Sequence, residues 1–294
     1  MNRVSRESHR AVSDSFEKEF LETPLEKQVA LCSGYELVPW FRQYLPDRQP
    51  ILEAGCGSGK WVAWFLKQGW TATGLDWSET LCATASEQIP GARFESGDMR
   101  AMPFTDGEFG SLIALGSIEH VPDGPDEALR DFHRVLRPGG VAIITVPYNG
   151  PVRKLGWGLR RPTFGLLARP WFRKMIGRPG ATGRSLREAR AQAATISEGR
   201  AVYRCVDEGW HFYEYQFDRP EMRTFLGRNG FEIIEERVRF TDEGIFQSFG
   251  RVAGRFDTKT GRVRFTLLGR LLRRMFSTSA SGHMLCYVVR RAQV

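Results

Sequence analysis

The 294-residue sequence predicts a doubly wound α/β fold with a mostly parallel sheet, and three observations carry that expectation. Residues 51–61 pass from an apolar strand through an acidic residue and three alternate glycines into a helix start. Further apolar strands are expected at residues 71–75, 92–97, 108–115 and 141–146. Helical or capped segments separate these runs, the alternation that builds a parallel sheet covered on both faces.

The first element is the most informative. Gly55, Gly57 and Gly59 let backbone N–H groups turn sharply and approach a ligand that any Cβ would block. A dinucleotide fingerprint, G-x-G-x-x-G, needs its third glycine one residue later. A phosphate-binding P-loop needs four residues between its glycines and Ser or Thr after the lysine. Here three residues separate Gly55 from Gly59, and Trp61 follows Lys60. The acidic-x-G-x-G-x-G order from Glu53 to Gly59 instead resembles, position for position, the loop of the class I S-adenosylmethionine-dependent methyltransferases.

The following elements extend the resemblance. The second strand ends at Asp76, about 20 positions past the loop, where a carboxylate is placed to accept from ribose hydroxyls. The third leads into Gly97, Asp98 and Met99, similar to the family's G-D pair. The fourth ends in Gly116-Ser-Ile-Glu-His120. A helix over residues 125–136 then meets Arg137-Pro-Gly-Gly140, which ends it before the fifth strand. Four motifs in order over residues 51–148, with a weaker echo at 211–237, identify the chain as similar to small-molecule methyltransferases of the type 11 kind.

The resemblance implies a seven-stranded Rossmann-like sheet in which strands at residues 231–240 and 283–291 form an antiparallel edge hairpin. It implies S-adenosylmethionine as cofactor, held by Gly55, Gly57 and Gly59 at its methionine portion and by Glu53 at its ammonium group. Asp76 would take the ribose, Trp77 would pack on adenine, and Asp98 with Met99 would read the adenine edge. Leu115 and Gly116 would line the floor. His120 follows the fourth strand and can titrate near neutral pH, so it is the candidate general base; an E-H-V-P segment is also compatible with a structural role. His211, Tyr213 and Tyr215 are candidates for the acceptor pocket, and Tyr35 or Trp40 for a lid over the methionine end.

The chain is expected to divide into a helical lid (1–48), a cofactor-binding core (49–150), a basic aromatic insertion (151–204) and a C-terminal part (205–294) containing a second basic insertion (241–282). Charge supports the division. Residues 151–204 hold thirteen Lys/Arg against two Asp/Glu, and residues 241–294 hold ten against three, leaving an acidic remainder in a chain of net charge +8. Within residues 262–276, Leu268, Leu271, Leu272 and Met275 would share one helix face opposite Arg270, Arg273 and Arg274. Such a helix suits an anionic membrane surface, and equally a core-packed helix with solvated arginines. Nucleic acid is disfavoured because no recognised module is visible and residues 116–120 lack the tetrad of base-amine methyltransferases. An acidic small substrate is a further option for arginines beside the site.

Five scattered cysteines without a C-x-x-C pair argue against a disulfide framework or a zinc site, so no metal is expected. A polar first twenty residues and the lack of a long apolar run point to a cytoplasmic protein, peripheral at the inner membrane face if the basic segments bind lipid. The expected reaction is methyl transfer to a small-molecule, glycan or lipid-linked acceptor, with oxygen the preferred nucleophile. A non-catalytic S-adenosylmethionine-binding module and an NAD-dependent oxidoreductase are the competing readings.

Overall fold

In the computed structural model, strand β1 (Ile51–Ala54) is buried at all four positions and lies at the centre of a parallel array. It pairs in parallel with β2 (Ala72–Asp76) and with β4 (Phe109–Leu115). β3 (Arg93–Ser96) continues the sheet beyond β2, and β5 (Leu136–Pro147) continues it beyond β4. β8 (Phe231–Arg239) and β11 (Met284–Arg291) complete seven strands in the order β3-β2-β1-β4-β5-β11-β8. Residues 17–18, 20–46, 49–167, 169–175, 186, 188, 190, 200–206, 209–257 and 260–292 are described.

The two tail strands do pair antiparallel, and the register defines which one is reversed. β11 runs against both β5 and β8, so β8 points the same way as the parallel strands. The Arg137-Pro-Gly-Gly140 segment is not a loop between helix and strand. The helix α5 (Asp126–Val135) stops and β5 begins at the next residue, with the register irregularity falling between Phe109 and Ser111 of β4.

Alternation along the strands divides the core in two. Leu112 and Ala114 of β4, with Ala142 and Ile144 of β5, face a cluster built by α5 and α8 (Arg219–Arg228). Ile113, Val141 and Ile143 face the opposite layer of α1 (Leu25–Cys32), α2 (Val38–Tyr44) and α3 (Lys60–Lys67). In that layer Phe41, Trp61, Trp64 and Phe65 meet edge to face or tilted at centroid distances of 5.2–6.4 Å. Such rings add about 0.5–1.5 kcal/mol per pair beyond area burial. α8 is held at its start by a reciprocal capping box between Asp218 and Glu221. α4 (Glu79–Gln88) starts from the Ser78 cap.

The basic insertions are structured. α6 (Pro151–Leu167) and α7 (Pro170–Met175) follow β5, and the hairpin of β6 (Arg200–Val206) with β7 (Gly209–Gln216) comes next. That hairpin spans the expected division between 204 and 205. The parts of 151–204 at residues 176–185 and 191–199 lie outside the described residues, as do residues 1–16 of the expected lid. Residues 241–282 form α9 (Thr241–Phe249), the hairpin of β9 (Gly254–Asp257) with β10 (Arg262–Phe265), α10 (Leu267–Met275) and α11 (Thr278–Ser281).

A small satellite cluster joins these pieces through Val152 of α6, Ile245 of α9, Ala253 just before β9, and Leu272 of α10. Its apolar area is modest, and backbone proximity compensates. A Cβ on Gly244 would lie 1.8 Å from the Ser281 carbonyl oxygen, and one on Gly269 would lie 1.8 Å from that of Ala253. Gly244→Ala must push α9 and α11 apart, so it is expected to destabilise by about 1–3 kcal/mol, the usual cost of overpacking. A lowered denaturant midpoint with the core far-ultraviolet circular dichroism retained is the measurement; an unchanged midpoint would contradict this packing.

Candidate active site

The loop after β1 is built by positive-φ backbone. Gly55, Gly57 and Gly59 have φ of +80°, +52° and +73°, a region that L side chains rarely adopt. The Gly55 and Cys56 N–H groups both donate to the Leu75 carbonyl, at 2.8 and 2.9 Å, which ties the turn to the end of β2. Gly55 and Gly57 line a cavity at the carboxyl ends of the strands, the location expected for ligand chemistry in an open α/β sheet. Gly59 does not line it. It caps α3, and a Cβ there would fall 2.8 Å from the Phe94 ring.

Glu53 also lies behind the cavity wall. It is 4% exposed, and its carboxyl oxygen accepts from the Val62 N–H at 3.2 Å. Burial pushes its pKa up to about 8, against the pull of Lys60. The residue expected to meet the ammonium group thus ties β1 to α3 beneath the loop.

At the end of β2, Asp76 accepts from Gly57 N–H at 2.8 Å through one oxygen and from Ser78 N–H at 3.0 Å through the other. Burial raises its pKa, and these backbone donors oppose the rise. Trp77, 39% exposed, stands at the rim. Asp98 and Met99 line the neighbouring wall. The Asp98 carboxylate accepts from the Arg100 backbone N–H at 2.9 Å and holds the Arg100 guanidinium at 2.5 Å. Arg100, also on the wall, carries no sequence motif that marks it. Leu115 and Gly116 form the floor. Eight of the ten expected cofactor residues therefore surround one cavity; Glu53 and Gly59 support it from behind.

The lid differs from its expected form. Phe20 lines the cavity and lies against Gly57, where a Cβ would come within 3.0 Å of its ring. Gln28 holds that segment: its side chain donates to the Phe20 carbonyl at 3.1 Å and accepts from Ser58 Oγ at 2.7 Å. Tyr35 and Trp40 are packed elsewhere. Tyr35 meets Trp61 and Phe240, and Trp40 receives the Arg239 guanidinium over its ring. Their aromatic character placed them in the core layer, and the residue of this segment that lines the cavity is Phe20, which no pattern singled out.

His120 lies on the cavity wall at the end of a 3-10 turn after β4. Its Nδ1 is 2.6 Å from the Tyr213 carbonyl oxygen on β7, and the two rings meet edge to face at 5.1 Å. Burial lowers its pKa, so the neutral imidazole donates from Nδ1 and carries its lone pair on Nε2. Of the other aromatic candidates, Tyr213 lines the cavity, whereas the Tyr215 hydroxyl donates to the Pro122 carbonyl at 2.8 Å within the core. His211 is opposite Arg204 in the hairpin and is not among the lining residues.

Next to His120, Glu119 is 2% exposed, and burial raises its pKa well above the ordinary range. Arg153, 4% exposed at the start of α6, contacts His283 and keeps its charge near neutrality although burial lowers its pKa to about 10. Among the described residues, one Glu119 oxygen and one Arg153 nitrogen are buried without a hydrogen-bond partner.

The Glu53 geometry has a pH consequence. A carboxyl that titrates at about 8 when folded and near the ordinary 4.5 when unfolded binds a proton on folding across that window. Its contribution to stability is complete below 4.5 and is lost as the pH rises towards 8. Glu53→Gln should therefore show a shallower fall in denaturant midpoint between those pH values. An identical slope in the two proteins would refute the buried, protonated state.

Residues 52–144 match the family model described as a methyltransferase domain. Among curated proteins, the demethylmenaquinone methyltransferase of Chlorobaculum parvum is 34% identical over 119 residues, covering 39% of this chain and 49% of that protein. The malonyl-[acyl-carrier protein] O-methyltransferase of Pseudescherichia vulneris is 30% identical over 113 residues, covering 38% and 45%. The chain spans about half the length of the curated relatives it matches. A solved S-adenosylmethionine-dependent methyltransferase from Methanosarcina mazei superposes with a TM-score of 0.56 at 18% identity, covering 88% of this chain and 100% of that one. The Burkholderia thailandensis 1,6-didemethyltoxoflavin-N1-methyltransferase, with 1,6-didemethyltoxoflavin and S-adenosylhomocysteine bound, gives 0.53 at 15% identity over 99% and 92%. Loop, strand order and matched segment thus agree: residues 52–144 match a methyltransferase domain, and the fold is one shared with solved S-adenosylmethionine-dependent methyltransferases.

Proposed function

We propose that this chain transfers a methyl group from S-adenosylmethionine to a small acceptor, with a hydroxyl or other oxygen as nucleophile. The observation that carries the reading is the single cavity shared by the glycine loop, Asp76, Asp98 and His120. The cavity suits the cofactor chemically: a carboxylate at the end of β2 for ribose hydroxyls, a second carboxylate for an exocyclic amine, and a tryptophan at the rim. Gly55 and Gly57 would offer backbone to the methionine portion, Met99 would pack on the adenine, and Leu115 and Gly116 would form the floor. Glu53 and Gly59 act as positioning residues for the loop.

When bound, S-adenosylmethionine supplies an electrophilic methyl on a sulfonium, so the protein's main task is alignment. His120 is proposed to take the acceptor proton at Nε2, since Tyr213 holds Nδ1 as the donor. Burial keeps that imidazole neutral at physiological pH.

The names of the relatives point to a demethylmenaquinone in one case and to a malonyl group on an acyl-carrier protein, methylated at oxygen, in another. Lipid-linked and glycan acceptors belong to the same proposal, as do the basic residues of 151–204 and 262–276 as a surface from which a lipid-linked acceptor would arrive.

Asp76→Ala is expected to abolish S-adenosylmethionine binding in calorimetry while the fold is retained; wild-type affinity would end the ribose assignment. His120→Ala should bind the cofactor normally and lose about 10²- to 10⁴-fold in turnover, the usual share of a general base. Wild-type turnover should fall only as the pH drops below the ordinary histidine value of 6.5, because protonation removes the lone pair. Metabolite and lipid mass spectrometry of a deletion strain, seeking a lost methylene increment, supplies the acceptor for these assays. Binding without turnover on any recovered acceptor would make the chain a binding module. Stabilisation by NAD and none by S-adenosylmethionine would make it an oxidoreductase.

A further inference from the structure

The helix α10 is turned with its apolar side outward. It packs on the satellite cluster through Leu272 and through Gly269, with Phe265 and Phe276 closing its two ends. The sequence pattern expected Leu268, Leu271, Leu272 and Met275 to share one face; the structure keeps Leu272 inside and exposes the rest. Leu267 is 82% exposed, Leu268 46%, Leu271 53% and Met275 64%. At about 100° per residue, Arg270, Arg274, Leu267, Leu271, Met275 and Leu268 follow one another around an arc of about 160°. The inward residues Leu272 and Gly269 lie on the remaining side.

This arrangement is costly in water and has a specific complement. Four large apolar side chains lie exposed on one helix, far from the scattered single residues that need no explanation. Two arginines border them along one edge, and the helix contains no acidic residue. Arg273, at the next edge, is paired with Asp242 at 2.6 Å and so is already neutralised. Among the described residues no carboxylate pairs with Arg270 or Arg274, and these two form the cationic edge directly beside the apolar strip. Residues 241–294 carry ten basic against three acidic residues, so the long-range charge has the same sign as the local edge. A purely apolar groove on a partner protein would fit the strip alone. An interface of acyl chains beneath anionic headgroups fits the strip and the arginines together.

We propose that α10 docks this protein on an anionic lipid bilayer, with Leu267, Leu268, Leu271 and Met275 seated among the acyl chains and Arg270 and Arg274 at the headgroups. The helix lies in the surface and does not cross it: among the described residues no helix is long and apolar enough to span a membrane. The exposed Leu155 and Leu159 of α6 and Trp171 and Met175 of α7 belong to the other basic insertion, which packs on the same α9. The proposal is independent of the acceptor and goes beyond the methyl-transfer reading.

Co-sedimentation of the whole chain with phosphatidylglycerol-containing and with pure phosphatidylcholine vesicles tests it. The wild type is expected to pellet with the anionic vesicles at low salt, weakly with the neutral ones, and less as salt rises. Leu267→Ser with Leu271→Ser and Met275→Ser should abolish pelleting, and Arg270→Glu with Arg274→Glu should do the same. All these side chains are exposed, so S-adenosylmethionine affinity in calorimetry should stay at the wild-type value and certify the fold. A tryptophan reporter, Leu271→Trp, should shift its emission to the blue on adding anionic vesicles. Absence of wild-type pelleting with anionic vesicles would overturn the proposal. Undiminished pelleting of the triple serine variant would overturn the seating of α10, and equal binding to both vesicle types would overturn the role of the arginines. Failure of these arms with cofactor binding intact leaves methyl transfer standing; loss of cofactor affinity in the wild type strikes only the latter.

Discussion

The carboxylate of Asp76 holds the site together. One of its oxygens accepts from the glycine loop after β1 and the other from the turn that starts α4. Two βα connections, which the chain forms separately, are thereby locked in one relative position. Hydrogen bonds of this charged kind contribute about 1.5–3 kcal/mol each, and here they also offset the burial of the carboxylate itself. The parallel pairing of β1 with β2 fixes the register that makes both contacts reachable. Within the loop Asp76 fixes Gly57, against which Phe20 lies, while the Leu75 carbonyl holds Gly55 and Cys56 beside it.

Behind the wall the same economy recurs in reverse. Glu53 and Gly59 were legible as motif residues, yet they shape the loop from its far side. A glycine at a left-handed helix start and a carboxyl bridging strand and helix are demanded by the turn even before a ligand is considered. Spacing in a sequence reports such demands without distinguishing the face on which each is met. The strands, their order of appearance and the cavity residues that follow them were readable, because strand periodicity and terminal residues are local properties.

What was hidden depends on how side chains settle once segments meet. Arg100 turns back on Asp98, two residues earlier, and Phe20 reaches the wall by lying against Gly57, where Gln28 joins its segment to Ser58. Tyr35 and Trp40 had the right chemistry for a lid and were claimed by the aromatic layer instead. Amphipathicity in α10 was visible; its direction was not. Whether an apolar stripe faces core or solvent is decided by the neighbours, here by backbone seated against Gly269.

The hairpin of β6 and β7 supplies the carbonyl that meets His120 Nδ1. The imidazole comes from the sheet, whereas the group selecting its tautomer comes from an accessory segment 93 positions later. The proposed proton acceptor and the carbonyl that fixes its tautomer therefore belong to different parts of the chain. The hairpin is anchored all the same, because Phe212 and Tyr215 of β7 sit in the core shared with β4 and β5. A change in the hairpin would be felt at His120 and in that core together.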